Sequence, residues 1–195
     1  MSHDRWLGTA YSDLAAQRIL DVAAALFAER GVAAVGMAEV ARAAGCSRAT
    51  LYRHFADRNQ LRLAYVQREA LRVGTQVAAE VGALTDPSER LVAGIQSALR
   101  RVRADATMSA WLTPDGGGIA AAVADRSPVV AHLVAAFLGD PDDPETTWRA
   151  GWLVRCVLSL LITPAETEEQ EHRLLEQFVA PVIVAPVPAA KGLGH

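Results

Sequence analysis

Ser47, Arg48, Ala49, Thr50, Tyr52, Arg53, His54 and Arg58 bring hydrogen-bond donors and positive charge together in one short stretch of the chain. Such a set recognises a polyanion rather than making or breaking bonds. Arg48, at the start of a helix, can offer two parallel hydrogen bonds to a guanine edge, and Ala49 can set its methyl against that of a thymine. Ser47 and Thr50 can donate hydroxyl hydrogen bonds to phosphate, although Ser47 is better suited to capping the helix. Arg58 falls in the first turn of the next helix, where positive charge beside free backbone N–H groups suits phosphate.

Constellations for bond making are absent from the sequence. There is no Gly-rich phosphate loop, no Gly-x-Ser-x-Gly elbow and no Cys or His pair at metal-ligand spacing; Gly116 to Gly118 follow no strand. Glu166, Glu168, Glu169 and Glu171 read as the acidic start of a helix, which complements its dipole. The expectation is a protein that is not an enzyme and uses no cofactor or metal.

The elements that must position the donor set follow from periodicity. Residues 36–58 read as two short helices around a Gly turn. Met37, Val40, Ala41 and Ala44 lie at helical spacing, Gly45 can take the positive φ that stops the helix, and Cys46 is a small apolar plug behind the turn. On the second helix Leu51 and Phe55 face inward, leaving Arg48, Ala49, Thr50, Tyr52 and Arg53 on or beside the outward side. Ile19, Val22, Ala23, Leu26 and Phe27 form the apolar stripe of a preceding helix that Gly31 ends, and the first dozen residues read as a loose arm.

From Ile19 to Leu61 the chain resembles the DNA-binding domain of TetR-family transcriptional regulators. Ala-Glu-Val-Ala, Ala-Gly-Cys-Ser, Leu51-Tyr52-Arg53-His54-Phe55 and Asp-Arg-Asn-Gln-Leu occur in the family's order and spacing. The resemblance implies an all-α fold: a three-helix helix-turn-helix domain (12–57) before a larger helical ligand-binding and dimerisation domain (58–185). It implies that Tyr52 meets the DNA backbone or a base and that Arg53 and His54 meet phosphates. It implies also a homodimer through the helices at 144–163 and 167–184, a near-palindromic operator, and a small hydrophobic effector that releases it. Repression is the family's usual mode, with activation the alternative. Candidate effector contacts are Met108, Trp111, Phe137, Trp148 and Trp152; Arg155, the one cation expected near them, suggests a neutral or weakly anionic ligand. The chain departs from the family at Gly36, where Ser or Thr is usual, so one backbone contact to DNA has no hydroxyl to make it.

Composition agrees, once it is resolved along the chain. The net charge of -3 argues against a nucleic-acid partner, yet residues 1–62 hold eight Arg against six acidic residues, and 36–62 hold five against two. A sequence-neutral architectural DNA-binder, the rival reading, should be basic throughout. At 51% hydrophobic over 195 residues the chain can bury a substantial core. Two cysteines give no disulfide framework, and no stretch reads as a signal peptide or membrane span, so a cytoplasmic protein with reduced thiols is expected. Beyond Asp57, which caps a helix running to about Val81, the starts Asp86-Pro87, Ser127-Pro128 and Asp143-Pro144 mark further helices at 86–105, 106–112, 117–124, 127–138, 144–163 and 167–184. Thr113 to Gly118 read as a loop, and 186–195 as a disordered tail.

Overall fold

The computed structural model describes residues 3–112 and 127–184, with side chains from Asp13 onward. The expected loop at 113–118, helix at 117–124 and tail at 186–195 lie outside the described residues. Among these the protein is all-α: α1 (His3–Arg30), α2 (Met37–Ala43), α3 (Arg48–His54), α4 (Arg58–Val81), α5 (Pro87–Ala104), α6 (Ala106–Ser109), α7 (Pro128–Leu138), α8 (Pro144–Ile162), α9 (Glu168–Leu174) and α10 (Ala180–Val184). Two compact units share these helices, one holding residues 1–72 and 102–130 and the other 73–101 and 131–195. They do not coincide with the division at 57/58 expected from sequence: the cut runs within α4 and again within α5.

In the first unit the apolar stripes meet as their spacing requires. Ile19, Ala23 and Phe27 of α1, Val40 and Ala41 of α2, Leu51 of α3 and Leu61 and Tyr65 of α4 are all buried. Gly31 ends α1 with a φ of 77°, its N–H donating to the Phe27 carbonyl at 2.9 Å. Gly45 turns the chain after α2 at a φ of 67°, and Cys46 N–H donates back to the Ala41 carbonyl at 3.0 Å. A side chain at either φ is strained, so glycine is the residue that fits. The start of α1 corrects one expectation. The helix begins at His3 rather than after a loose arm; only Gly8 in that stretch disfavours helix.

In the second unit Leu91, Val92, Ile95 and Leu99 of α5 pack with Leu153 of α8 and with Leu175, Val179, Ala180 and Ile183 near the end of the chain. Side-chain caps begin these helices: Asp86 accepts from Glu89 N–H at 2.8 Å, Asp143 from Thr146 N–H at 2.9 Å and Thr167 from Gln170 N–H at 3.1 Å. The stretch expected as one helix at 167–184 contains a π-helical turn at Leu175–Val179 between α9 and α10. Phe137 of α7 seats against Gly94, where a Cβ would come within 2.9 Å of the ring, and Arg90 stacks over it at 5.6 Å.

Candidate nucleic-acid interface

The recognition helix is held by its inward residues and left open on the other side. Ser47 has extended backbone and accepts a hydrogen bond from Thr50 N–H at 3.0 Å, while its hydroxyl lies 2.9 Å from that of Thr50. Both hydroxyls are therefore engaged within the cap. Leu51 is fully buried and Phe55 nearly so, which fixes the rotation of α3 about its axis. Arg48, Ala49, Tyr52 and Arg53 all emerge on the exposed side, as their spacing requires. Neither Arg48 nor Arg53 has a protein partner among the described residues. Arg42 of α2 is exposed as well.

Two expected phosphate ligands are placed differently. The Nε2 atom of His54 is buried and has no hydrogen-bond partner among the described residues, its ring tilted beside that of Phe55. Arg58 turns toward the protein's own backbone, donating from Nη2 to the carbonyls of Val32 and Ala33. Arg62, one turn on, donates to the same Val32 carbonyl at 2.9 Å. The reason is local: the chain leaving α1 presents carbonyl oxygens at the negative end of a helix dipole, and a guanidinium satisfies them. Arg62 escaped sequence reasoning, although its i, i+4 spacing from Arg58 puts both on one face of α4. An ion pair between Arg30 and Glu39 also ties the end of α1 to α2. Gly36 caps α2 with extended backbone and no side-chain bond, and a Cβ there would meet no atom within 4 Å.

The five effector candidates are divided between the two units. Met108 and Trp111 are buried in the first unit, where the Trp111 ring stacks on Tyr65 at 5.7 Å and meets Phe27 edge-on at 5.4 Å. Burial, helped by Glu69 and Asp105, pushes the Tyr65 hydroxyl up to about 12. Phe137 packs within the second unit, whereas Trp148 and Trp152 are 74% and 50% exposed. Arg155, expected as a buried cation, is exposed too. The correction has a geometric cause: with Ala150, Leu153 and Val154 facing the core, positions 148, 152 and 155 fall on the opposite side of α8. Cys46 and Cys156 are free and half-buried, and burial raises the Cys156 thiol. No described helix is long and apolar enough to cross a membrane, and among the described residues no three metal-binding side chains cluster.

Residues 19–65, which hold α2 and α3, match the family model described as bacterial regulatory proteins, tetR family. An uncharacterized HTH-type transcriptional regulator of Mycobacterium tuberculosis is 44% identical over 198 residues, an alignment that covers 100% of this chain and 98% of that protein. The chain belongs to the TetR family. This TetR-family protein is a transcriptional regulator, not an enzyme. It is also 35% identical over 80 residues to the transcriptional activator FasR of Mycolicibacterium smegmatis, covering 41% of this chain and 36% of the other. Among solved structures, the repressor AlkX from Dietzia shares the fold with a TM-score of 0.68 at 23% identity, over 87% of this chain and 95% of that one. RolR in complex with resorcinol does so with a TM-score of 0.63 at 20% identity, over 93% and 98%.

Proposed function

We propose that this TetR-family regulator is a repressor in the bacterial cytoplasm that grips a near-palindromic operator as a homodimer and lets go when a small hydrophobic effector binds. The observation that carries the reading is the open face of α3. Arg48, Ala49, Tyr52 and Arg53 are exposed on a helix whose rotation is fixed by buried Leu51 and Phe55, and the two arginines have no partner among the described residues. Arg48 reads a base edge, and Tyr52 and Arg53 contact the backbone. Arg58 and His54 support the domain from within instead. Functionally, residues 12–57 read DNA and 58–185 dimerise and respond to the effector.

One helix reads only a few base pairs, so useful specificity needs two copies at half-sites roughly 34 Å apart. Trp148 and Trp152 on α8, with Phe178 and Val182 at 66% and 58% exposure near the chain's end, are too apolar to suit water. A second copy of α8 and α9–α10 covers them, so the two tryptophans belong to the dimer face rather than to an effector pocket. The repressor AlkX and the resorcinol complex of RolR are similar in fold. Light scattering should give a solution mass of about twice the 20.8 kDa chain. In-vitro transcription from a promoter overlapping the operator should then fall as the dimer is added. A monomeric mass counts against the dimer, and a rise in transcription makes the protein an activator.

A further inference from the structure

Among the described residues, the first unit gathers buried N–H donors that have no acceptor. Trp111 is 3% exposed, and its indole Nε1 has no hydrogen-bond partner. The Nε atoms of Arg58 and Arg62 are likewise buried and without a partner. Folded proteins leave few buried donors unmade, because each gives up its bonds to water for nothing. These donors also neighbour one another. Arg62 lies with its guanidinium carbon 5.7 Å from the Trp111 ring centroid, and Arg58 is near enough to help burial lower the pKa of Arg62.

The charge on these arginines stands out against the rest of α4. Further along the helix Arg68 pairs with Asp21 at 2.6 Å, and Arg72 pairs with Glu69 at 2.6 Å and Asp105 at 3.6 Å. Arg58 and Arg62 have no carboxylate partner among the described residues; they hold the carbonyls of Val32 and Ala33, and Arg62 also lies over the Trp111 ring. The Arg62 guanidinium thus lies over a Trp111 ring that itself packs against Phe27 and Tyr65. A carboxylate answers both demands at once: two oxygens to accept, and a negative charge less strongly hydrated than a phosphate dianion. An alcohol would leave the charge unanswered.

We infer that Arg62 and Trp111 form a receptor for the carboxylate of a small hydrophobic acid, whose apolar part lies against Phe27 and Tyr65. This rests on the reading that an effector controls the protein, and it gives that effector its charge. Met108 lies on α6, a single helical turn capped by Asp105, and Trp111 in the turn just beyond it, a short segment that an entering ligand can shift at small cost. Arg62 already holds the Val32 carbonyl beyond the end of α1, so an acid that draws its guanidinium away loosens the support of the reading helices.

Titration of the ¹⁵N-labelled full-length protein tests this, with the Trp111 indole resonance identified by its loss in Trp111→Phe. The probes are decanoate and 4-phenylbutanoate, with their primary amides as uncharged controls. Both acids should move the Trp111 resonance downfield and bind at least tenfold more tightly than the amides. Arg62→Gln and Trp111→Phe should each remove that preference while keeping the helical circular dichroism of the parent, and Arg62→Lys should retain part of it. Acids that leave the Trp111 resonance in place, bind no better than amides, or bind Arg62→Gln unchanged overturn the inference. The titration contains no DNA, so a protein that still reads its operator after such a result loses this site alone.

Discussion

Two pairs of arginines, only a few residues apart, meet opposite fates. Arg48 and Arg53 of α3 are exposed without a partner among the described residues, whereas Arg58 and Arg62 of α4 fold back onto the carbonyls of Val32 and Ala33. All four are basic residues in one DNA-reading segment, and by charge alone they are equivalent. What separates them is the backbone within reach. α3 is two turns long and points its outer face away from the rest of the unit, while the first turn of α4 lies beside the unsatisfied carbonyls that follow α1. A local positive charge therefore marks a DNA-binding segment without saying which guanidinium is free to bind DNA.

The contrast between open and committed side chains can be broken in four places. The largest effect belongs to the open apolar residues. Trp148→Glu combined with Phe178→Glu should give a monomer by light scattering and lower operator affinity by about 10²–10⁴-fold, the advantage that linking two reading heads supplies. An unchanged dimer would move the interface elsewhere. Next comes a committed residue. Arg58→Ala should lower stability in urea by about 1.5–3 kcal/mol, since it removes charge-assisted hydrogen bonds to the Val32 and Ala33 carbonyls, with little change in the salt dependence of DNA binding. Unchanged stability and a salt slope reduced by about 0.9 would return Arg58 to a phosphate.

Arg48→Ala should behave in the opposite way. Operator affinity falls by about 1–3 kcal/mol and discrimination is lost at one base, with the melting temperature unmoved. A uniform loss across sequences would make Arg48 a backbone contact. The smallest effect is at Gly36, where a Cβ meets nothing within 4 Å. Gly36→Ser should raise stability by a few tenths of a kcal/mol through the cap it adds. If its hydroxyl also reaches phosphate, operator binding tightens; a loss of affinity would mean that the DNA backbone needs the space.

The sequence was most legible where periodicity and capping act alone. The starts at Pro87, Pro128 and Pro144 follow from Asp or Ser before Pro, and Leu51 and Phe55 had to face inward once α3 was recognised. Legibility failed where the outcome depends on a partner distant in sequence. Nothing near Arg58 announces the Val32 carbonyl 26 residues earlier. Trp111, Trp148 and Trp152 look alike as large aromatic residues on helices, yet the first is buried against Phe27 and Tyr65 and the other two face outward. The π-helical turn at Leu175–Val179 left no mark in the apolar spacing that predicted a continuous helix.

Selection of duplexes from a random DNA pool by the purified full-length protein shows whether the open face of α3 reads sequence in two symmetric copies. One enriched near-palindrome is expected, with half-site centres about one helical turn, roughly 10–10.5 base pairs, apart, and with loss of one base preference per half-site in Arg48→Ala. Retention of DNA without enrichment, or an enriched motif that Arg48→Ala leaves intact, would contradict it.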